Sequence, residues 1–128
     1  MQQIDIPEIV AEVRDCFERY NMAIETGDAE ALNGFFWQSS KTVRFGNGEH
    51  LFGYEVISTF RVSQWKAGAA RRLEKLVVTT LGADVGTTWA LFRRNDGEGQ
   101  TTRQSQTWAR FPEGWRIIAA HVSAIDAP

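Results

Sequence analysis

Cysteine and histidine are scarce in this sequence, and each shortage excludes a class of site. The single cysteine, Cys16, rules out an internal disulfide. Its place in a helical apolar pattern favours a buried thiol of a reduced compartment over a nucleophile, because no activating partner is evident. The two histidines, His50 and His121, share no ligand-spaced motif, so we predict no metal site. The glycine signal at Gly46-Asn47-Gly48 is too short for a phosphate cradle, and we predict no cofactor.

Long apolar runs and an excess of positive charge are missing as well. No stretch approaches about 18 uninterrupted apolar residues, the length from which a membrane-spanning helix is inferred. The first residues show neither the basic nor the apolar region of a signal peptide. The net charge of −2 gives no reason to expect nucleic acid as a partner. These absences predict a cytoplasmic protein with neither a membrane nor a nucleic-acid partner.

The basic residues that are present are mostly arginine. Eleven are Arg and three are Lys. Arginine binds carboxylates through a planar two-pronged contact that lysine cannot make. A GC-rich genome produces the same bias, so composition leaves open whether the arginines serve an anionic ligand.

Length and periodicity predict one α+β domain, residues 1–128, with its helices in the first half of the chain. Apolar residues at three- and four-residue spacing predict a first helix of about five turns. A capping-box pattern that begins at Asp5 opens this helix, and Gly27 ends it. Two further helices are predicted, one capped by Asp28 and one running from 53 to about 65.

The remaining segments have the alternation or the apolar content of strands. They are 42–45, 73–81, 87–94, 101–111 and 115–125. The last four form an antiparallel meander with turns at glycine-containing segments, one of them a hairpin loop at 95–99. Helices packed on one face of such a sheet give an α+β fold. In the last strand, the residues that face each side of the sheet are apolar. The helices can cover one side, so another surface must cover the second, and we predict a homodimer through the sheet.

The order helix-helix-strand-helix-meander resembles the nuclear transport factor 2-like superfamily, which includes the SnoaL-like proteins and ketosteroid isomerase. Four motifs narrow the resemblance: Thr42-Val43-Arg44-Phe45-Gly46, Phe60-Arg61, Arg103-Gln104-Ser105-Gln106-Thr107-Trp108 and Ala119-Ala120-His121-Val122-Ser123. They are similar to motifs of the AtzH-like and HpxZ-like proteins, and the similarity covers nearly the whole chain. The resemblance implies a SnoaL-like cone, in which a curved antiparallel sheet and three helices enclose a pocket.

The resemblance also implies a reaction. AtzH-like members are implied to be decarboxylases that convert 1,3-dicarboxyurea to allophanate and carbon dioxide in cyanuric acid breakdown. HpxZ-like members accompany amidohydrolases of oxalurate breakdown and have no comparably clear activity. The implied function is therefore a cofactor-free decarboxylase of a small N-carboxylated urea. The alternative is a non-catalytic, dimeric protein that binds small anions and supports an amidohydrolase.

Two residues match the pair associated with the decarboxylase, Tyr20 and Arg44. An N-carboxylate loses carbon dioxide once its nitrogen can be protonated, which requires a proton donor, anion recognition and little water. Tyr20 can supply the proton, and Arg44 can hold a carboxylate through two charge-assisted hydrogen bonds. Periodicity alone favours a core tyrosine at Tyr20, and Arg44 has a surface strand arginine as its alternative.

A dianionic substrate requires a second cation, for which Arg61 is the first candidate. Its alternative is a solvated helix arginine, and Arg72 and Arg103 are the next candidates. Gln104 and Gln106 share one strand face and can hydrogen-bond a urea carbonyl or amide. We expect Arg61, Gln104 and Gln106 to bind the substrate.

Other polar residues receive a structural interpretation. The dipeptides Arg71-Arg72 and Arg93-Arg94 are predicted to be solvated strand ends. His121 is expected on the dimer side of the sheet, opposite the glutamines. An isomerase or cyclase of the ketosteroid kind would need a carboxylate base in an apolar pocket. Three carboxylates are available but fall in predicted loops or at strand ends: Glu49, Glu74 and Asp84.

Overall fold

Within residues 3–64, 71–94 and 99–126, which the computed structural model describes, the chain forms three helices and one six-stranded sheet. The helices are α1 (Pro7–Thr26), α2 (Ala29–Gly34) and α3 (Tyr54–Gln64). The strands are β1 (Val43–Phe45), β2 (His50–Phe52), β3 (Arg71–Leu81), β4 (Val85–Arg94), β5 (Gln100–Phe111) and β6 (Gly114–Asp126). The predicted end of the third helix at about 65 and most of the predicted loop at 95–99 lie outside the described residues.

The strands follow one another across the sheet in the order β2-β1-β6-β5-β4-β3. The predicted meander is confirmed, since β3 to β6 pair antiparallel in sequence order. The short strand β1 pairs parallel with β6, which places Arg44 opposite Ala120. Residues 50–52, for which no strand was predicted, form β2 against β1. The α+β class and the curved sheet with helices in the N-terminal half are therefore confirmed.

Helix α1 ends as predicted but begins differently. Gly27 takes the left-handed conformation at φ 74° and caps the C-terminus, and the Asp28 side chain caps α2. The predicted cap at Asp5 is wrong, because the N-cap is Ile6 and no side chain caps it. The Asp5 carboxylate instead accepts a hydrogen bond of 2.9 Å from the backbone N–H of Thr80. The carboxylate therefore bonds to the end of β3, far along the chain, instead of capping the helix that follows it.

The two faces of the sheet have different environments. The inner face, which the helices cover, carries buried residues on the central strands: Thr88, Ala90, Phe92, Gln104, Gln106, Trp108 and Ala120. Helix α1 contributes an apolar stripe at helical spacing to the same core: Ile9, Val13, Cys16, Phe17 and Tyr20. The core therefore lies between α1 and the inner face, and polar side chains take part in it.

The outer face of the sheet is left uncovered by the helices. Its central groove has a volume of about 370 Å³ and is bordered by Val77, Trp89, Ser105, His121 and Ser123. The Trp89 side chain is 59% exposed there. His121 lies on this face, as predicted. None of the helices in the described ranges combines the length and the apolar character that crossing a bilayer requires.

Candidate functional site

Tyr20 lies on the buried side of α1 inside a cluster of aromatic rings. Its side chain is 3% exposed. Its ring meets those of Phe35, Phe36 and Trp108 edge-on, at centroid distances of 5.6, 6.1 and 6.4 Å. Such edge-to-face contacts fix the ring and exclude water around it. The phenol is therefore held at a defined position below the inner face of the sheet.

Arg61 lies next to this phenol. Its Nη2 donates a hydrogen bond of 3.2 Å to the Tyr20 hydroxyl oxygen, and its guanidinium carbon lies 5.8 Å from the ring centroid of Phe36. Only 3% of Arg61 is exposed, so the alternative of a solvated helix arginine is wrong. The Tyr20 oxygen accepts this bond, and its own proton has no acceptor among the described residues. The arrangement leaves the phenol proton available to a ligand.

Arg44 points from β1 toward the helices. It lies in the same register row as Ala120 of the inner face, its side chain is 13% exposed, and its guanidinium carbon is 6.0 Å from the ring centroid of Phe60. A surface strand arginine is therefore the wrong interpretation. Nη1 forms an ion pair of 2.8 Å with Glu49. The Nε and Nη2 groups have no hydrogen-bond partner in the described parts of the chain, and such an edge can bind a carboxylate through two hydrogen bonds.

Glu49 is a site residue for which the sequence predicts only a loop position. The backbone N–H of Gly48 donates to its second carboxylate oxygen at 3.2 Å. A β-carbon at Gly46 would overlap the carboxylate, so glycine is required there for Glu49 to reach Arg44. A carboxylate neutralised by an arginine does not resemble the base of a ketosteroid isomerase, which lies in an apolar pocket. The glycine spacing before Glu49 was the available signal.

A chain of hydrogen bonds orients the Gln106 amide. The indole N–H of Trp108 donates to the Thr88 hydroxyl at 3.1 Å, and this hydroxyl donates to the Gln106 amide oxygen at 3.1 Å. All three side chains are buried. Because the amide oxygen is occupied, Gln106 presents its NH₂ group to its surroundings. Gln104, 5% exposed on the same face, makes no side-chain hydrogen bond to any described residue, and buried amides normally have a partner.

These groups share one layer of the molecule. Arg44, Ala120, Gln106 and Thr88 form a continuous register row across β1, β6, β5 and β4. One strand separates Arg44 from Gln106, which corresponds to roughly 10 Å. The groups that this layer presents are mainly donors. Such a layer suits a small ligand that is rich in oxygen and negatively charged.

Arg71, at the start of β3, corrects a prediction. It was expected in a solvated strand end, as Arg72 is with its 56% exposed side chain. Instead its Nη2 donates to the Asn21 side-chain oxygen at 2.9 Å, and its guanidinium carbon lies 3.7 Å from the ring centroid of Phe92. Burial lowers the pKa of the Arg71 guanidinium, while the nearby Tyr20 and Glu25 act to raise it. Adjacent strand residues face opposite ways, which was the signal that one arginine of the pair points inward.

Comparison with known protein families gives a match over residues 2–128, to the AtzH-like family. The chain belongs to the AtzH-like family. No curated protein matches its sequence. Among the described residues of this AtzH-like protein, no three His, Cys, Asp or Glu side chains are grouped as a metal site would require.

Solved structures share the fold. A protein of unknown function from Pectobacterium atrosepticum, assigned to the DUF3225 family, is 41% identical, with 96% of this chain and 95% of that chain covered and a TM-score of 0.90. A cystatin-like fold protein from Burkholderia xenovorans is 39% identical over 100% of both chains, with a TM-score of 0.94. A putative ketosteroid isomerase from Parabacteroides distasonis is 15% identical, with 86% and 85% covered and a TM-score of 0.71. This last likeness shows the nuclear transport factor 2-like fold alone.

Proposed function

We propose that this AtzH-like protein is a cofactor-free decarboxylase that converts 1,3-dicarboxyurea to allophanate and carbon dioxide in cyanuric acid breakdown. The observation that carries the proposal is the buried hydrogen bond from Arg61 to Tyr20. It combines a phenol whose proton has no acceptor among the described residues with a cation placed on the phenol oxygen. This pair meets the two needs of N-carboxylate cleavage, a proton for the nitrogen and support for the charge left behind.

Substrate binding is assigned to the donors of the inner face. Arg44 holds one carboxylate through its Nε and Nη2, while Glu49 keeps the guanidinium in position through Nη1. Gln106 donates its NH₂ to the urea carbonyl, and Gln104 offers a second amide. The aromatic rings around Tyr20 exclude water, and hydrogen bonds are electrostatically stronger where water is excluded.

The chemical step breaks the bond between nitrogen and the carboxylate carbon. The electron pair of that bond moves to the nitrogen as carbon dioxide leaves, and the nitrogen takes the proton of Tyr20. The phenolate that results is stabilised by the Arg61 hydrogen bond, which is stronger to an anion than to a neutral hydroxyl. A proton from solvent then restores Tyr20. The net reaction consumes one proton and needs neither an oxidant nor an electron sink.

The first test measures carbon dioxide release by carbon-13 NMR of freshly generated 1,3-dicarboxyurea, with and without the protein. Tyr20→Phe removes the hydroxyl, which is both the proton donor and the acceptor of the Arg61 hydrogen bond, and we expect it to lower kcat roughly 10²–10⁴-fold. Arg44→Ala removes the anchor and should cost about 2–4 kcal/mol of transition-state binding. Tyr54→Phe, which changes the second tyrosine of the chain, is the matched control.

The outcomes separate two functions. Near-normal rates in both Tyr20→Phe and Arg44→Ala would contradict the assignment of this pair. If the wild-type protein binds small dicarboxylates but does not accelerate the reaction, the non-catalytic accessory protein of an amidohydrolase pathway is the better description. Circular dichroism and thermal unfolding of each variant show whether the fold is retained.

We further propose that two copies pair through the outer face of the sheet. The proposal is supported by the exposed apolar side chains that border the groove on this face. Trp89 is 59% exposed and its strand neighbour Val77 is 45% exposed. Apolar patches of this kind on small proteins commonly mark association.

A further inference from the structure

We propose that Arg71 binds an anionic group of the ligand and makes the site selective for dianions over monoanions. The resemblance attaches no role to this residue. The identity of the natural ligand rests on the proposed function. Its test uses ligand binding and therefore does not depend on decarboxylation.

The position of Arg71 connects it to the Tyr20 region of α1. Its Nη2 donates to Asn21, the neighbour of Tyr20 in the chain, at 2.9 Å. Its guanidinium stacks on Phe92 at 3.7 Å, and Phe92 stacks in turn on Phe17, at a centroid distance of 6.3 Å. Phe17 precedes Tyr20 by about one helical turn. The side chain is thus fixed on two sides against the same stretch of α1.

Arg71 is also incompletely satisfied for a partly buried cation. None of the ion pairs among the described residues includes it. Its Nε is fully buried and has no hydrogen-bond partner in the described parts of the chain. Buried charges are normally paired, and buried N–H groups are normally bonded, because leaving them unpaired costs free energy.

An anionic ligand would supply the ion-pair partner that Arg71 lacks among the described residues, whereas the buried Nε marks incomplete satisfaction and is not the point of contact. A carboxylate that approaches Arg71 accepts a charge-assisted hydrogen bond and supplies a direct ion-pair partner, which the more distant Glu25 does not. Arg44 differs in this respect, because Glu49 already balances part of its charge. A ligand with one negative charge can form an ion pair with Arg44 alone, whereas a ligand with two negative charges can also form one with Arg71. The difference between the two arginines therefore predicts a preference for dianions.

The experiment compares two stable acids of equal chain length by isothermal titration calorimetry. Glutarate carries two carboxylates separated by three atoms, as a urea carboxylated on both nitrogens does, and pentanoate carries one. The wild-type protein should bind glutarate more tightly. Arg71→Gln should weaken glutarate binding roughly 10–100-fold, the effect of losing a charge-assisted hydrogen bond, and leave pentanoate binding within about threefold. Arg72→Gln, the exposed neighbour, is the matched control and should change neither.

The ratio of the two dissociation constants separates binding from a structural role. A merely structural Arg71 would weaken both ligands equally on substitution, and that result overturns the proposal. Equal binding of glutarate by wild type and Arg71→Gln, or no binding of glutarate by the wild type, also overturns it. If Arg71→Gln does not fold, Arg71→Lys keeps a cation and should reduce glutarate affinity while preserving the preference over pentanoate. Absence of carbon dioxide release alone would contradict the decarboxylase and leave these binding results valid.

Discussion

The polar side chains around Tyr20 each have a direction of hydrogen bonding that their chemistry determines. Arginine can only donate, so the Arg61 bond makes the Tyr20 oxygen an acceptor. The indole N–H of Trp108 can only donate, and the chain through Thr88 therefore ends on the Gln106 carbonyl oxygen. The directions of these bonds, more than the residue types alone, determine which atoms a ligand meets.

Individual site residues were predictable to different degrees. Gln104 and Gln106 share a strand face because alternation in a strand is local, so that prediction is confirmed. The inward direction of the Arg44 side chain could not be predicted locally, because it depends on the pairing of Arg44 with Ala120 far along the chain. Arg71 was assigned wrongly, because only the packing of α1 on β3 and β4 shows that its side of the strand is covered. The chemical roles of Tyr20, Arg44, Arg61, Gln104 and Gln106 stay predictions.

The buried thiol of Cys16 gives a pH dependence with a defined sign. Burial raises the pKa of the Cys16 thiol, although the charge and hydrogen bond of Arg19 oppose this. The folded state therefore disfavours the thiolate. The associated stability is fully present below the unfolded pKa and is lost as pH rises through the folded pKa.

We expect the stability difference between the wild type and Cys16→Ala to shrink as the pH is raised from 7 to 10. Urea unfolding at a series of pH values measures it, with both proteins in reducing buffer. Other groups titrate in this range in both proteins, so the difference isolates Cys16. A difference that stays constant with pH would contradict a raised pKa.

At the scale of elements, helix ends depend on local chemistry and strand partners do not. Gly27 and Asp28 act as predicted because a left-handed C-cap and an Asp N-cap involve only nearby backbone. Asp5 has the right residue type for a cap but bonds to Thr80 instead. The parallel pairing of β1 with β6 has no local signature, so it was not predicted.

The contact between α1 and β4 depends on a residue without a side chain. A β-carbon added at Gly86 would lie 3.0 Å from a methyl group of Val13 and 3.3 Å from the backbone oxygen of Thr79. The Thr79 oxygen is backbone of β3 and the Val13 methyl belongs to a buried, branched side chain of α1, so β3 or α1 would have to shift by a few tenths of an ångström.

We expect Gly86→Ala to destabilise the fold by about 1–3 kcal/mol, the usual cost of overpacking a well-packed core. Thermal and urea unfolding measure the change. Gly48→Ala is the control, because a β-carbon there meets nothing within 4 Å, and it should stay within about 0.5 kcal/mol of the wild type. Equal stability of the two variants would show that α1 adjusts without cost.

At the scale of the whole molecule, the sheet separates two surfaces with different properties. The inner face holds buried polar groups of the candidate site, and the outer face exposes apolar side chains. Register places Val77, Trp89, Ser105 and His121 in one row across β3 to β6. A second copy of the chain that covers this row would leave the inner face unchanged.

Trp89→Lys tests the proposed pairing, because it adds a charge beside Lys75 and Arg103, which also border the groove. We expect the wild type to be a dimer and the variant a monomer by sedimentation velocity. Met22→Lys is the control, since Met22 is equally exposed, at 63%, but lies on α1. A monomeric wild type, or a variant that remains dimeric, would contradict the pairing.

The position of β1 also has a consequence for synthesis on the ribosome. Among the described residues, the strand that carries Arg44 pairs with the short β2 and with β6, residues Gly114–Asp126, and with no other strand. Domains generally fold as units during synthesis, and α1 with Tyr20 is synthesised long before β6. Arg44 acquires its lasting neighbour only when that last strand has left the exit tunnel. Tyr20 likewise gains its Trp108 contact only when β5 is present, so the acid and the anchor are both positioned at the end of synthesis of residues 3–126.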